Sequence, residues 1–355
     1  GGIPPGEVVV LFLSGPQGQP TNGYAPCPIQ SAVPSGVMLF GQSGVGQSFK
    51  ITSDVPVVSY EISPYGGGSA AVTGASLLLP TSAWDTNYIA VNAYGSDKDA
   101  FGRGPSMNLV AQRDGTSITM VPKVQISPNG PVPGGPANQP VTFKLDAGQA
   151  LQITQGSELT GSPIQADKPI GMWAGHQCNN VPATGDCCCD HSEQQIPAIR
   201  SLGSEYAAVT YRQRTSTPEN PPWRIIGAVD GTQLTYEPDV GGPKTLALGE
   251  VVEFKTGKPF VVRSQDASHP FVLLGYMTGA ATVGGANEAG YGDPDFVRSV
   301  PPAQYLDHYV FFTDPTYAET DLVVVRKKGE AGFSAVTLDC AGELEGWKPL
   351  GSSGQ

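Results

Sequence analysis

Long hydrophobic runs are missing from the 355 residues: the longest wholly apolar stretch is the six residues Val8–Leu13. A membrane helix needs roughly 20, so no membrane insertion is expected. Positive charge is also scarce, with 20 Lys and Arg against 32 Asp and Glu, a net charge of −12 and no basic run. A nucleic-acid surface requires a cationic footprint, so nucleic acid is excluded as a partner. Charged residues of both signs make up only 15% of the chain, too few for a coiled coil or helical solenoid. Several catalytic signatures are absent as well: there is no G-x-S-x-G elbow, no phosphate-binding P-loop and no H-E-x-x-H pair. No two cysteines have C-x-x-C spacing, which argues against a structural zinc ribbon.

Helix breakers, in contrast, are abundant. The 46 Gly and 33 Pro amount to about 22% of the chain, while 39% apolar residues, including 13 Tyr, 12 Phe and 4 Trp, supply a core. That mixture excludes disorder and points to a turn-rich, all-β protein.

A weak internal repeat organises the strands. A Gly followed by an alternating run recurs as GQSFKIT at Gly46, GQALQIT at Gly148 and GEVVEFK at Gly249, at spacings of 102 and 101 residues. A polar turn ending in Pro then feeds an apolar strand: DVPVVSY at Asp54, DKPIGMW at Asp167 and SHPFVLLGY at Ser268. Next comes an apolar-Pro step leading to a strand headed by Tyr88, Tyr206 or Tyr309. DGTSIT at Asp114 and DGTQLT at Asp230 read as hairpin tips.

Together these elements predict units of about six antiparallel strands, each sandwich-like, with a closed propeller-like toroid as the alternative arrangement. The boundaries are expected at 1–87, 88–205 (carrying a Cys-rich loop), 206–308 and 309–355. The last unit reaches Gln355 without a Gly-Gln strand or a Pro-turn strand, and so reads as incomplete. Its missing strands are expected from the N-terminal segment, from another copy, or from a continuing parent chain. The start at GGIPPG without Met fits a fragment or a processed product. Three polar stretches, Pro128–Pro140, Arg214–Pro222 and Thr278–Asp295, read as decoration between units.

Six cysteines are distributed as Cys27, Cys178, the run Cys187, Cys188 and Cys189, and Cys340. The central group suits disulfides in an exported protein, with a thiolate and imidazole metal site using His176, Asp190 and His191 as the alternative. Of the four histidines, His269 and His308 sit at equivalent edges of repeated elements and read as structural. A Cys/His catalytic pair within one short loop is disfavoured, because nucleophile and base normally come from distant segments. Asp97 with Asp99, and the GDPD turn at Gly292, lack the full oxygen pattern of a calcium loop and read as solvated turns. No catalytic residue, metal or cofactor is therefore expected. Asp190 and His191 are expected to brace the loop. The rival reading makes Asn179, Asn180, Asp190 and His191 a presented recognition surface.

The block SPIQADKPIGMWAGHQCNN followed by CDHSEQQIPAIRSLGSEYAAV resembles the N-terminal domain of the IgGFc-binding proteins. The positions that carry the resemblance are Asp167, Pro169, Gly175, Cys178, Cys189, Asp190, His191, Gln195, Pro197, Gly203 and Tyr206. It implies an extracellular or cell-surface, all-β, non-enzymatic binding module with Cys178 paired to Cys189. The run Cys187–Cys189 stands where the family pattern has one Cys, and IgG binding itself is not carried over. The absence of an N-x-S/T sequon favours the bacterial surface-protein branch. The expected function is adhesion to a glycan, mucin-like or protein ligand through loops. The alternative is a structural protomer of an extracellular fibre or surface assembly, self-assembling by strand donation at the C-terminal unit.

Overall fold

Alternating burial along short segments produces sheets with one covered face, as in Val141–Leu145 and Thr116–Met120, where every second side chain is buried. The computed structural model describes residues 3–4, 6–14, 27–33, 41–63, 74–95, 104–182, 189–279, 292–317 and 319–351. The strands in chain order begin with β1 (Gly44–Gln47), β2 (Tyr60–Ser63), β3 (Gly74–Leu77) and β4 (Asp85–Ile89). Then come β5 (Pro105–Ala111), β6 (Thr116–Met120), β7 (Val141–Leu145), β8 (Gln149–Thr154), β9 (Pro163–Asn179) and β10 (Asp190–Ile196). The next set is β11 (Glu205–Ala208), β12 (Pro222–Gly227), β13 (Thr232–Glu237), β14 (Thr245–Leu246), β15 (Val251–Lys255), β16 (Phe260–Ser264), β17 (Phe271–Met277) and β18 (Asp295–Arg298). A short pair, β19 (Thr337–Leu338) and β20 (Gly342–Glu343), closes the order. Every named pairing is antiparallel, and the only helical pieces among the described residues are 3₁₀ turns. The all-β expectation is met.

Two copies of one topology are visible. In the second, β11-β16-β13-β14 form one sheet and β15-β12-β17-β18 the other. Their facing sides share a core of Tyr206, Trp223, Ile225, Leu234, Phe254, Phe260 and Phe271, which makes a sandwich. In the first copy β4 and β6 pair with the opening residues of β9, whereas β5 and β10 pair with its later residues. The 17-residue β9 thus does the work that β16 and β17 share, curling one sheet through both layers. Residues 265–270 break the corresponding strand in the second copy.

Each repeated sequence element has a mechanical role. A 3₁₀ turn at Thr81–Ala83, Ile199–Ser201 or Pro302–Gln304 precedes each lead tyrosine. The Tyr88 hydroxyl accepts the Asp85 amide and donates to the Ile170 carbonyl; the Tyr206 hydroxyl accepts the Gly203 amide and donates to the Phe271 carbonyl. Each tyrosine therefore locks its turn to the residue that follows Pro169 or Pro270. Gly148 and Gly249 sit at φ +80° and +68°, a conformation only glycine adopts without strain.

The DGT turns differ from the hairpin reading. β5 and β6 do not pair with each other, because β5 joins β8 and β9 in one layer while β6 joins β7 and β9 in the other. Asp114–Thr116 is consequently a corner between layers, as is Asp230–Thr232. The buried Thr116 and Thr232 hydroxyls donate to the carbonyls of Arg113 and Val229 to close these corners. A hairpin tip and a sheet corner demand the same positive φ of Gly, so the sequence signal is identical.

Two of the decorative stretches are likewise corrected. Residues 128–140 lie between β6 and β7 and bury Val132 in the core. Residues 214–222 lead into β12 and hold the buried ion pair of Arg214 with Glu219. Both fall within a repeat of the topology, not between repeats. Residues 280–291 of the third stretch, and the turn with Asp97 and Asp99, lie outside the described residues.

The two sandwiches meet closely. One continuous core runs from Tyr88, Met107 and Leu151 to Ile226, Leu274 and Phe296. Gly161 and Gly249 approach backbone to backbone, leaving no space for a side chain at either.

Candidate functional site

The hairpin β9–β10 projects past the sheet and is fastened at its tip by the disulfide Cys178–Cys189, with Cα atoms 4.9 Å apart. Just inside the disulfide, His176 Nδ1 accepts the backbone N–H of Cys178, which fixes the ring and places its proton on Nε2 when neutral. Because both sulfurs are committed to each other, the thiolate metal alternative loses Cys178 and Cys189 as ligands. No cluster of three or more metal-binding side chains occurs among the described residues. Cys27 and Cys340 are free thiols, and Cys187 and Cys188 lie outside the described residues.

Neighbouring strands bury the root of the hairpin. On one side β3 is held by Gln195 N–H donating to Ser76 Oγ and by Gln194 Nε2 donating to the Ala75 carbonyl. Gly74 is required here, because a Cβ would come within 2.8 Å of the His191 carbonyl oxygen. On the other side Asn179 Nδ2 donates to Ser192 Oγ, which donates in turn to the Pro294 carbonyl next to β18. The Gly279 amide binds the Val181 carbonyl and ties the loop to the end of β17. Three equivalent strands, β3, β10 and β18, thus stand side by side at the base of the loop.

The four sequence candidates divide by burial. Asn179 and Asp190 have no exposed surface, whereas Asn180 and His191 are half-buried and Gln177 beside them is exposed. Asn179 and Asp190 therefore support the loop from beneath, while Asn180, His191 and Gln177 reach the surface. Sequence reasoning did not single out Ser192, Glu193 or Glu61, and it read the GDPD turn at Gly292 as solvated, whereas Asp293 and Asp295 of that turn are drawn into this junction and desolvated by it. Gln195 had been marked through the resemblance, together with Asp190 and His191.

Acidic groups dominate the junction. Burial raises the Glu193 carboxyl well above its usual range, and the adjacent Glu61 carboxyl adds to the effect. Asp293 is raised by burial too. His191 is held below the usual imidazole range by burial, with Nε2 3.6 Å from Glu193 Oε2.

Asp295 is pushed up to about 7 by desolvation, although its carboxylate accepts the Phe296 amide. In the unfolded chain this group ionises near 3.8. Between those values the unfolded state has released a proton that the folded state keeps, so stability falls as pH rises from about 4 to about 7 and is level beyond. Asp295→Asn, which keeps an acceptor for Phe296, is expected to flatten that limb. At pH 8 the variant should be more stable than the parent by about 1 kcal/mol or more, with little difference at pH 4. Urea unfolding at several pH values measures this, and parallel curves for variant and parent would contradict it.

The arrangement defines a class: an all-β module that carries a disulfide-pinned loop on a rigid junction of sandwiches. Residues 74–355 match the family model described as IgGFc binding protein, and the chain belongs to that family. The human protein named IgGFc-binding protein is 26% identical over 260 residues, which cover 73% of this chain and 4% of the human one. The chain thus spans a small fraction of the length of that relative. No solved structure matches. The family is one of binding proteins, in keeping with a non-enzymatic chain, and the disulfide fits an extracellular location. Among the described residues no helix is long and apolar enough to cross a membrane.

Proposed function

We propose that the protein is an extracellular or cell-surface adhesion module that recognises a glycan, mucin-like or protein ligand through the loop at the tip of β9–β10. Family membership over most of the chain carries the reading. The geometry of the loop's base supports it, because a recognition loop gains affinity when the strands that carry it are held rigid. Here the disulfide, the Asn179–Ser192–Pro294 chain and the two flanking strands supply that rigidity. The contact surface is assigned to Gln177, Asn180 and His191. Extracellular partners such as mucins present many weak, repeated epitopes, and a repeated module suits them through multivalency.

The test is a screen of the whole chain on glycan arrays, immobilised mucin and immunoglobulin Fc, with an Asn180→Ala/His191→Ala variant in parallel. A ligand whose affinity falls at least tenfold in the variant supports the reading. Absence of any ligand at high protein concentration, or a ligand indifferent to the variant, overturns it.

A further inference from the structure

In both complete sandwiches the lead tyrosine needs a particular carbonyl, that of the residue after the turn proline: Ile170 for Tyr88 and Phe271 for Tyr206. Tyr309 has the same 3₁₀ turn before it, and its hydroxyl accepts the Leu306 amide just as the others accept Asp85 and Gly203. Its second bond has no counterpart among the described residues, and the side chain is 58% exposed where Tyr88 and Tyr206 are 1% exposed. The chain beyond Tyr309 supplies Leu322, Val323 and Val324 as the counterpart of β5 and β12, and these are exposed as well.

The complementary half lies near the other end. Residues 54–60 repeat the Pro-turn strand, and β2 paired with β3 repeats the hairpins β9–β10 and β17–β18. The residue after the turn proline is Val57, 53% exposed, within a run that also exposes Phe49, Ile51, Val55 and Val58. The opening half of one sandwich and the closing half of another are therefore both present, each with its apolar side uncovered. Continuous exposed apolar strips of this kind mark surfaces built to be covered.

We propose that these two halves are each other's partner within one chain, forming a third sandwich from residues 49–63 and 74–77 of one half and 309–317 and 319–350 of the other. In it Tyr309 donates to the Val57 carbonyl, residues 49–53 run antiparallel to the Tyr309 strand, and residues 57–60 lie beside Leu322–Val324. Three observations favour closure within the chain over a second copy. The Tyr60 hydroxyl already meets the backbone of Phe312. The 309–350 segment is anchored to the second sandwich, with Leu350 packed on Ala207 and Val261 and Arg212 paired with Asp321. The 44–77 segment is anchored to the first through β1 on β8 and β3 against β10. Both halves are thus held on a common base, where a partner strand has a high effective concentration. The boundaries expected at 1–87 and 309–355 then describe two parts of one unit.

Hydrogen exchange on the full chain tests this, with Tyr309→Phe and Val57→Asp as variants and Tyr206→Phe as the reference. Amides in 49–58 and 309–325 should be protected together in a monomer. Tyr309→Phe should lower protection in 49–58 at least tenfold, and Val57→Asp should do the same in 309–325, although the segments are some 250 residues apart in sequence. If either variant loosens only its own segment, or neither segment is protected in the parent, the proposal fails. If protection rises with protein concentration alongside a dimer in light scattering, the occupant is a second copy and the intramolecular closure is wrong.

Discussion

Arg224→Ala should lower the stability of the chain by about 3–5 kcal/mol, the cost of leaving a buried charge without its partner. The Arg224 guanidinium makes two bonds to Glu158, at 2.9 and 2.8 Å, and a third to Glu253 at 3.1 Å. It also lies 4.3 Å from the ring centre of Tyr94 and 5.6 Å from that of Tyr276. Glu158 and Tyr94 belong to the first sandwich, whereas Arg224, Glu253 and Tyr276 belong to the second. The cluster is a latch across the junction. Only about a tenth of the Arg224 and Glu158 side chains is exposed, so water cannot replace the lost partner. After the substitution Glu158 retains the Thr160 hydroxyl, which is too little to solvate a carboxylate in that position.

A companion double variant, Glu158→Leu/Arg224→Met, separates the worth of the pair from the cost of orphaning one member. Because an apolar replacement of both charges removes the desolvation penalty, the double variant should be less destabilised than Arg224→Ala. Chemical unfolding of the three proteins forms the measurement. Equal stability of Arg224→Ala and the parent would mean that the latch is open in solution.

Replacing Cys178 and Cys189 together by Ser should cost about 3 kcal/mol, from the loop-closure entropy restored to the unfolded chain over a separation of 11 residues. Reductant should bring the parent to the same unfolding midpoint and leave the variant unchanged. The effect should also reach the proposed contact surface, because Asn179 and Asp190 flank the disulfide and depend on it for their place beneath the loop. Ligand binding is expected to weaken with the same reductant. A parent whose midpoint is indifferent to reduction would show that β3 and β18 alone hold the hairpin.

These expectations combine features of different legibility. Thr116, Gly148 and Tyr88 announced themselves because turn chemistry is local: a positive φ, a corner closed by a hydroxyl and a hydroxyl reaching three residues back are all written within a few positions. The repeat made the same signals recur about 100 residues later, which turned weak motifs into a unit length. The resemblance drew Cys178 and Cys189 together, and the disulfide bears it out. The support of Asn179 was not legible, since its partner Ser192 is held by the Pro294 carbonyl, 115 residues beyond Asn179. Nor was the convergence of Glu61, Glu193 and Asp293, because isolated acidic residues in turns look the same whether they meet or not.

By itself, then, the sequence determined the all-β class, the period of the strands, the special backbone positions and the family. Each depends on alternation, turn stereochemistry or residue identity within short windows, where the local energy has few alternatives. Tertiary structure alone decided that the DGT turns are corners, that β9 serves two layers where β16 and β17 serve one each, and that Arg224 faces Glu158. Those outcomes depend on which distant surfaces are brought together, and the free energy of burying them is shared among segments that carry no mark of each other in the chain.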